Sequence, residues 1–134
     1  LFYEVAERAG RPFIASHSNA RTVCGHPRNL TDDQFQIIKH RGGLVGLNFY
    51  VDFLRDSGTA CMEDVLRHAE HFLSLGGEKT LAIGSDFDGA KMPEDLQGVQ
   101  AVEALAECFL KHGYAESLVD DIFYGNAYRF FQSF

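Results

Sequence analysis

Short apolar runs alternate with longer amphipathic segments along this chain. The apolar runs lie at residues 12–16, 44–50 and 80–86, and a glycine lies shortly before each of them. Near-continuous apolar runs of this length are typical of strands that are buried on both faces of a parallel sheet. The pattern therefore predicts three buried strands that are separated by helices.

The other segments have the spacing and the end signals of helices. Residues 31–41 open with the capping-box sequence Thr-Asp-Asp-Gln, which predicts a helix start. Apolar residues recur every three or four positions along 62–73 and 99–110, so each segment has one apolar helical face. A last helix is predicted from Glu116 onward. Residues 1–10 have the pattern of a helix end stopped by glycine, and a chain that begins in mid-helix is expected to be a piece of a longer one.

The order of these elements predicts a parallel α/β fold with right-handed crossovers. No internal repeat or linker divides the sequence, so we expect residues 1–134 to form a single domain or one part of a domain. A (β/α)8 barrel typically needs about 250 residues, so this chain could hold roughly half of one. A small three-layer α/β domain is the alternative fold.

Composition and charge exclude several classes of function. The 12 basic and 19 acidic residues give a net charge of −7, which argues against a general nucleic-acid binder. No apolar run approaches the roughly 18 residues of a membrane-spanning helix. Three widely separated cysteines, Cys24, Cys61 and Cys108, favour reduced thiols and a cytoplasmic location.

The candidate chemistry lies where the predicted strands end. In parallel α/β folds the catalytic groups lie beyond the carboxyl ends of the strands, where this chain has His17 and Asp86. A neutral imidazole at His17 can bind zinc, and a carboxylate at Asp86 can ligate a metal or move protons. The alternatives are a histidine that is hydrogen-bonded within its loop and an aspartate that caps a turn.

Other polar residues have both a functional and a structural interpretation. Arg21 and Arg28 follow the first strand, where a guanidinium can bind a carboxylate through two hydrogen bonds or lie in solvent. His68 and His71 have the i, i+3 spacing of some metal ligands, but we place them on the polar flank of their helix and expect structural roles. Cys61 lies near a helix start, and we also favour a structural role there.

Four short motifs follow one another along the chain in a characteristic order. They read PFIASHSNA at 12–20 with RNLTDD at 28–33, GLVGLNFY at 43–50, GSDFDG at 84–89 and GNAYRFF at 125–131. Together they resemble the renal (membrane) dipeptidase family of zinc peptidases. The resemblance implies an amidohydrolase-type (β/α)8 TIM barrel, with this chain as the carboxyl-terminal part that carries the last three strands and helices.

The resemblance also implies roles for individual residues. In the family, two zinc ions are held by a His-x-Asp pair, a bridging Glu and two later histidines, the second of which corresponds to His17. Asp86 corresponds to the aspartate that handles the proton at the scissile amide, and Arg28 to the arginine that binds the dipeptide's terminal carboxylate. Arg21 has no assigned counterpart. No His-x-Asp sequence occurs in the chain, so most zinc ligands are expected to lie outside it.

These inferences predict the carboxyl-terminal portion of a zinc-dependent dipeptidase that is inactive as an isolated fragment. We expect a dipeptide substrate. Because a partial barrel leaves open strand edges, we also expect a homo-oligomer or association with the missing barrel half. The alternatives are a non-catalytic α/β remnant or interaction module, and a related amidohydrolase that acts on a lactone or cyclic amide.

Overall fold

A computed structural model describes residues 1–133 as a parallel sheet with helices packed against it. The elements are, in chain order, α1 (Phe2–Arg8), β1 (Ile14–Ala15), α2 (Asp32–His40), β2 (Leu44–Asn48), α3 (Val51–Leu54), α4 (Met62–Ser74), β3 (Leu81–Ser85), α5 (Gln100–Lys111), α6 (Glu116–Asp120), a π-helical turn (Asp121–Gly125) and α7 (Asn126–Gln132). No helix among these residues is both long and apolar enough to cross a membrane.

The three strands form one sheet in the order β1-β2-β3, and both pairs are parallel. All five residues of the central strand are buried, as the continuous apolar run predicts. The parallel arrangement of the three strands is confirmed, but Ile14 of β1 is 40% exposed, so the prediction that every strand is buried is wrong for β1. β1 is shorter than the predicted run 12–16, and the carbonyl oxygen of Ser16 lies close against Gly46 of β2 and Gly84 of β3.

Two helices bury their predicted apolar faces beside the central strand. Phe35 of α2 and Phe72 of α4 are fully buried, and their rings stack with centroids 4.3 Å apart. The capping box before α2 is present: Gln34 N–H donates to Thr31 Oγ1, and Thr31 N–H donates to Gln34 Oε1. Local sequence therefore sets where α2 begins, and aromatic packing joins it to α4.

Some details differ from the pattern read along the sequence. Val99 is 75% exposed, so its assignment to an inward helical face is wrong: it precedes the first turn of α5 and does not reach the sheet. The short helix α3 was not predicted, because a single turn is too brief to show a helical period.

Hydrogen bonds and ion pairs connect the carboxyl-terminal helical segment to the amino end of β3. The Nδ2 group of the buried Asn126 donates to the carbonyls of Glu78 and Leu81, each at 2.8 Å. Asp121, at the start of the π-helical turn, binds Lys79 at 2.7 Å and Arg129 at 2.8 Å. These ion pairs and hydrogen bonds hold the last helices against the edge of the sheet that lies opposite the strands' carboxyl ends.

Candidate functional site

His17 lies two residues beyond the end of β1, at the carboxyl edge of the sheet. The next residue, Ser18, donates its backbone N–H to the Gly46 carbonyl of β2 at 2.8 Å, which holds the loop against the sheet. The Nδ1 atom of His17 lies 2.7 Å from Ser16 Oγ, so this hydrogen bond orients the ring. Nε2 makes no hydrogen bond to any residue in 1–133 and is the nitrogen that can meet a metal or a substrate.

Asp86 lies beyond β3 at the same edge of the sheet. The register between β2 and β3 shifts just before this point, where Asn48 pairs with Ser85. The backbone of Asp86 is left-handed, with φ of 71°, and Ser85 and Asp88 also have positive φ. Such conformations are costly for residues with side chains and are concentrated at functional sites. The strained turn places the Asp86 carboxylate beside β2.

Asn48, the last residue of β2, connects these two positions. Its Nδ2 donates to the His17 carbonyl at 3.2 Å and lies 3.4 Å from Asp86 Oδ2. Its own backbone exchanges two hydrogen bonds of 2.8 Å with the buried side chain of Asn19. The structure therefore brings His17 and Asp86 to one edge, with β2 between them. No functional role is predicted for Asn48 from the sequence, although a polar residue at the end of an apolar strand can indicate a site residue.

Two glycines allow the loop after β1 to lie this close to the sheet. A Cβ atom at Gly46 would stand 2.2 Å from the Ser16 carbonyl oxygen, and one at Gly84 would stand 2.0 Å from it. Real side chains do not tolerate such distances from backbone atoms. The backbone before His17 can therefore pack on β2 and β3 only because both positions are glycine.

The structure separates the two arginines of the loop after β1. Arg21 donates from Nε to the Asn29 carbonyl at 3.0 Å and from Nη2 to the Pro27 carbonyl, so it braces the loop from within. Arg28 is exposed and forms no ion pair within residues 1–133. Its guanidinium carbon lies 6.0 Å from the centre of the Phe53 ring of α3. Arg28 therefore keeps its charge available to an anionic ligand.

His68 is fully buried, and its assignment to the polar flank of α4 is wrong. Nδ1 accepts from Ala20 N–H at 3.0 Å, so the proton is on Nε2, which donates to the Leu54 carbonyl at 2.9 Å. Burial lowers the pKa of His68 to about 4, so the ring is neutral at physiological pH. Its role is structural, as expected, because it ties α4 to the loop after β1 and to α3.

Two further side chains of these segments have structural partners. His71 Nε2 lies 2.7 Å from Asp32 Oδ1, and this hydrogen bond lowers the pKa of Asp32. The buried Cys24 thiol donates to the Asp52 carbonyl at 3.3 Å, and burial raises the pKa of the thiol. All three cysteines are free thiols. None of these groups belongs to the edge that His17 and Asp86 share.

The residues described do not form a metal centre by themselves. Within 1–133, no three histidine, cysteine, aspartate or glutamate side chains converge to hold an ion. Structural and catalytic zinc sites in proteins use three or four such ligands. His17 can supply one nitrogen, so a zinc ion here would need ligands from outside these residues.

Comparison with known proteins places this arrangement in a family. The profile described as membrane dipeptidase (peptidase family M19) matches residues 1–134. An uncharacterized protein of Klebsiella pneumoniae is 38% identical over 133 residues, which is 96% of this chain and 49% of the relative. Dipeptidase 3 of Rattus norvegicus is 32% identical over 98% of this chain and 27% of the relative. This chain therefore spans between about a quarter and a half of these curated relatives.

Solved structures have the same fold. A metallopeptidase from Rhodobacter sphaeroides, liganded with a phosphinate mimic of L-Ala-D-Ala, superposes with a TM-score of 0.92 and 39% identity. The alignment covers 98% of this chain and 38% of that one. A second metallopeptidase, described as dipeptidase AC, superposes with a TM-score of 0.90 and is 40% identical in sequence. These likenesses confirm the predicted fold class, a part of an amidohydrolase-type (β/α)8 barrel, and also the resemblance noted in the sequence. The chain belongs to the membrane dipeptidase family, peptidase family M19.

Proposed function

We propose that this chain is the carboxyl-terminal portion of a zinc-dependent dipeptidase that hydrolyses the peptide bond of dipeptides. The observation that carries the proposal is the edge at which Asn48 joins His17 and Asp86, in a chain of this family. The Rattus norvegicus relative is named as a dipeptidase, and one related structure holds a dipeptide mimic. The other strands of the barrel and most of the zinc ligands come from a longer protein that carries this chain.

Asp86 moves the proton in this proposal. Hydrolysis adds water across the amide: a C–O bond forms, the C–N bond breaks, and the proton that water loses reaches the leaving amine. A carboxylate can accept that proton and then deliver it to the nitrogen. The contact from Asn48 Nδ2 and the fixed backbone turn hold the Asp86 carboxylate at one place for both transfers.

His17 and Arg28 have complementary tasks. His17 offers Nε2 as one ligand to zinc, since its Nδ1 is engaged by Ser16. Zinc, when bound, supplies Lewis-acid activation of the substrate carbonyl and of water. Arg28 binds the free carboxylate of the dipeptide through its guanidinium, a pairing that selects short substrates with a charged end.

A pair of aspartate variants in the longer protein tests the proposal. We expect Asp86→Asn to lower kcat for alanyl-alanine at least about 100-fold, because positioned proton transfer contributes that much or more. Asp88→Asn is the matched control, since Asp88 is exposed and has the same left-handed backbone. Equal activities of the two variants would remove Asp86 from the mechanism.

A second measurement separates the dipeptidase from its alternatives. We expect the longer protein to bind zinc and hydrolyse alanyl-alanine, and the purified 134-residue chain to do neither. A longer protein without zinc or turnover would indicate a non-catalytic remnant. Turnover of a lactone or cyclic amide but not of dipeptides would indicate another amidohydrolase reaction.

A further inference from the structure

The ring of Phe53 lies under the Arg28 guanidinium, and the proposed function gives this ring no role. Phe53 of α3 is only 6% exposed, and its ring centre lies 4.5 Å from that of His26 and 4.9 Å from that of Tyr50. We call the Phe53 and His26 side chains the aromatic platform, and Tyr50 flanks it. The Arg28 guanidinium carbon lies 6.0 Å from the Phe53 ring centre, within the range of a cation–π interaction.

The platform is rigidly held. The Phe53 carbonyl accepts from Asn29 Nδ2 at 2.9 Å and lies 3.5 Å from Asn19 Nδ2, and both asparagines are buried. Asn19 is also the residue that fixes the backbone of Asn48 between His17 and Asp86. The Asn19 side chain therefore links the backbone of Phe53 to the backbone of Asn48.

The platform also contacts the backbone of Arg28. The Arg28 N–H donates to Nδ1 of His26 at 3.1 Å, while the His26 ring packs against Phe53. Arg28 is thus restrained at its backbone by His26 and at its guanidinium by the face of Phe53. A long exposed arginine otherwise samples many rotamers, and ordering it on binding costs free energy.

We propose that Phe53 and His26 are positioning residues that hold Arg28 ready for the substrate carboxylate. The inference rests on the proposed function, because it assigns Arg28 to that carboxylate. Phe53 acts through Arg28: its ring stabilises one orientation of the guanidinium, and substrate binding then orders less of the side chain. The expected signature is a change in KM that is confined to substrates with a free carboxyl end.

The experiment compares alanyl-alanine with its carboxyl-terminal amide in the longer protein. We expect Phe53→Leu to raise KM for the dipeptide about two- to tenfold, with kcat within twofold and the kinetics of the amide unchanged. Phe53→Tyr keeps the ring face and should retain the original KM. Tyr50→Phe, which loses only the hydrogen bond to Asp52, is a control for general disturbance of α3.

Two further variants keep the test decisive. His26→Ala removes a half-buried ring outside the core, so it is informative even where Phe53→Leu does not fold, and we expect it to raise KM for the dipeptide at least twofold. Arg28→Ala should raise it further. A KM change with Arg28→Ala but none with Phe53→Leu or His26→Ala would overturn the platform and leave the proposed function standing. An unchanged preference for the free carboxylate in Arg28→Ala would overturn both the role of Arg28 and the platform.

Discussion

Gly84→Ala tests whether close backbone packing holds Ser16 and His17 in place at the candidate site. A Cβ at Gly84 would lie 2.0 Å from the Ser16 carbonyl oxygen and 3.0 Å from its carbonyl carbon, where ordinary contact begins near 3.4 Å. It would also lie 3.1 Å from the carbonyl carbon of Gly46. These are backbone atoms, so no rotamer change can relieve the clash, and Ser16 must move by more than an ångström.

The cost follows from what that movement disrupts. Overpacking in a well-packed region typically costs about 1–3 kcal/mol, and here the displaced backbone also carries the hydrogen bond from Ser18 N–H to Gly46. We expect Gly84→Ala to lower the free energy of unfolding by about 3 kcal/mol. In a protein of 150–250 residues this corresponds to a fall in Tm of roughly 6–12 °C, and the fall is smaller in a longer protein. Because His17 directly follows Ser16, we also expect kcat/KM to fall more than tenfold.

Thermal unfolding and dipeptide hydrolysis by the longer protein measure both effects. Gly10→Ala is the matched control, because a Cβ at Gly10 meets nothing within 4 Å. We expect this control to change stability by less than about 0.5 kcal/mol, as surface substitutions usually do. If Gly84→Ala unfolds and turns over like Gly10→Ala, the idea that Ser16 and His17 are held by glycine packing is refuted.

Three other substitutions and conditions give further tests. The pKa of His68 falls from its ordinary value near 6.5 to about 4, so the folded state holds a neutral ring while the unfolded state takes up a proton as the pH falls. The contribution of His68 to the free energy of unfolding is therefore complete above about pH 6.5 and should decline by up to about 3 kcal/mol toward pH 4. Denaturant titrations at several pH values would measure this decline. A similar pH dependence of the free energy of unfolding in His68→Gln would contradict this cause. Asn126→Ala leaves the carbonyls of Glu78 and Leu81 without their donor and should cost about 2–3 kcal/mol in denaturant unfolding, whereas the exposed Gln132→Ala should cost almost nothing. Arg28→Ala should cost about 2–4 kcal/mol in kcat/KM for dipeptides and far less for their amides, and equal losses for both substrates would remove Arg28 from the carboxylate subsite.

The sequence by itself determined the elements and their order. Continuous apolar runs located β2 and β3 to within two residues, because a strand buried on both faces has to be apolar throughout. The capping box located the start of α2, since those hydrogen bonds are made within four residues. His17 and Asp86 could be named as candidates because parallel strands all end at one edge of the sheet.

Only the tertiary structure decided which polar groups meet. His68 has a surface pattern in the sequence, yet it is buried because its partners, Ala20 and Leu54, come from segments 48 and 14 residues away. Arg21 and Arg28 look alike along the chain, and only the fold of their loop turns the first inward onto carbonyls and leaves the second over Phe53. Local periodicity reports which face of an element is apolar. It cannot report which distant donor meets which acceptor, because that depends on how the elements pack.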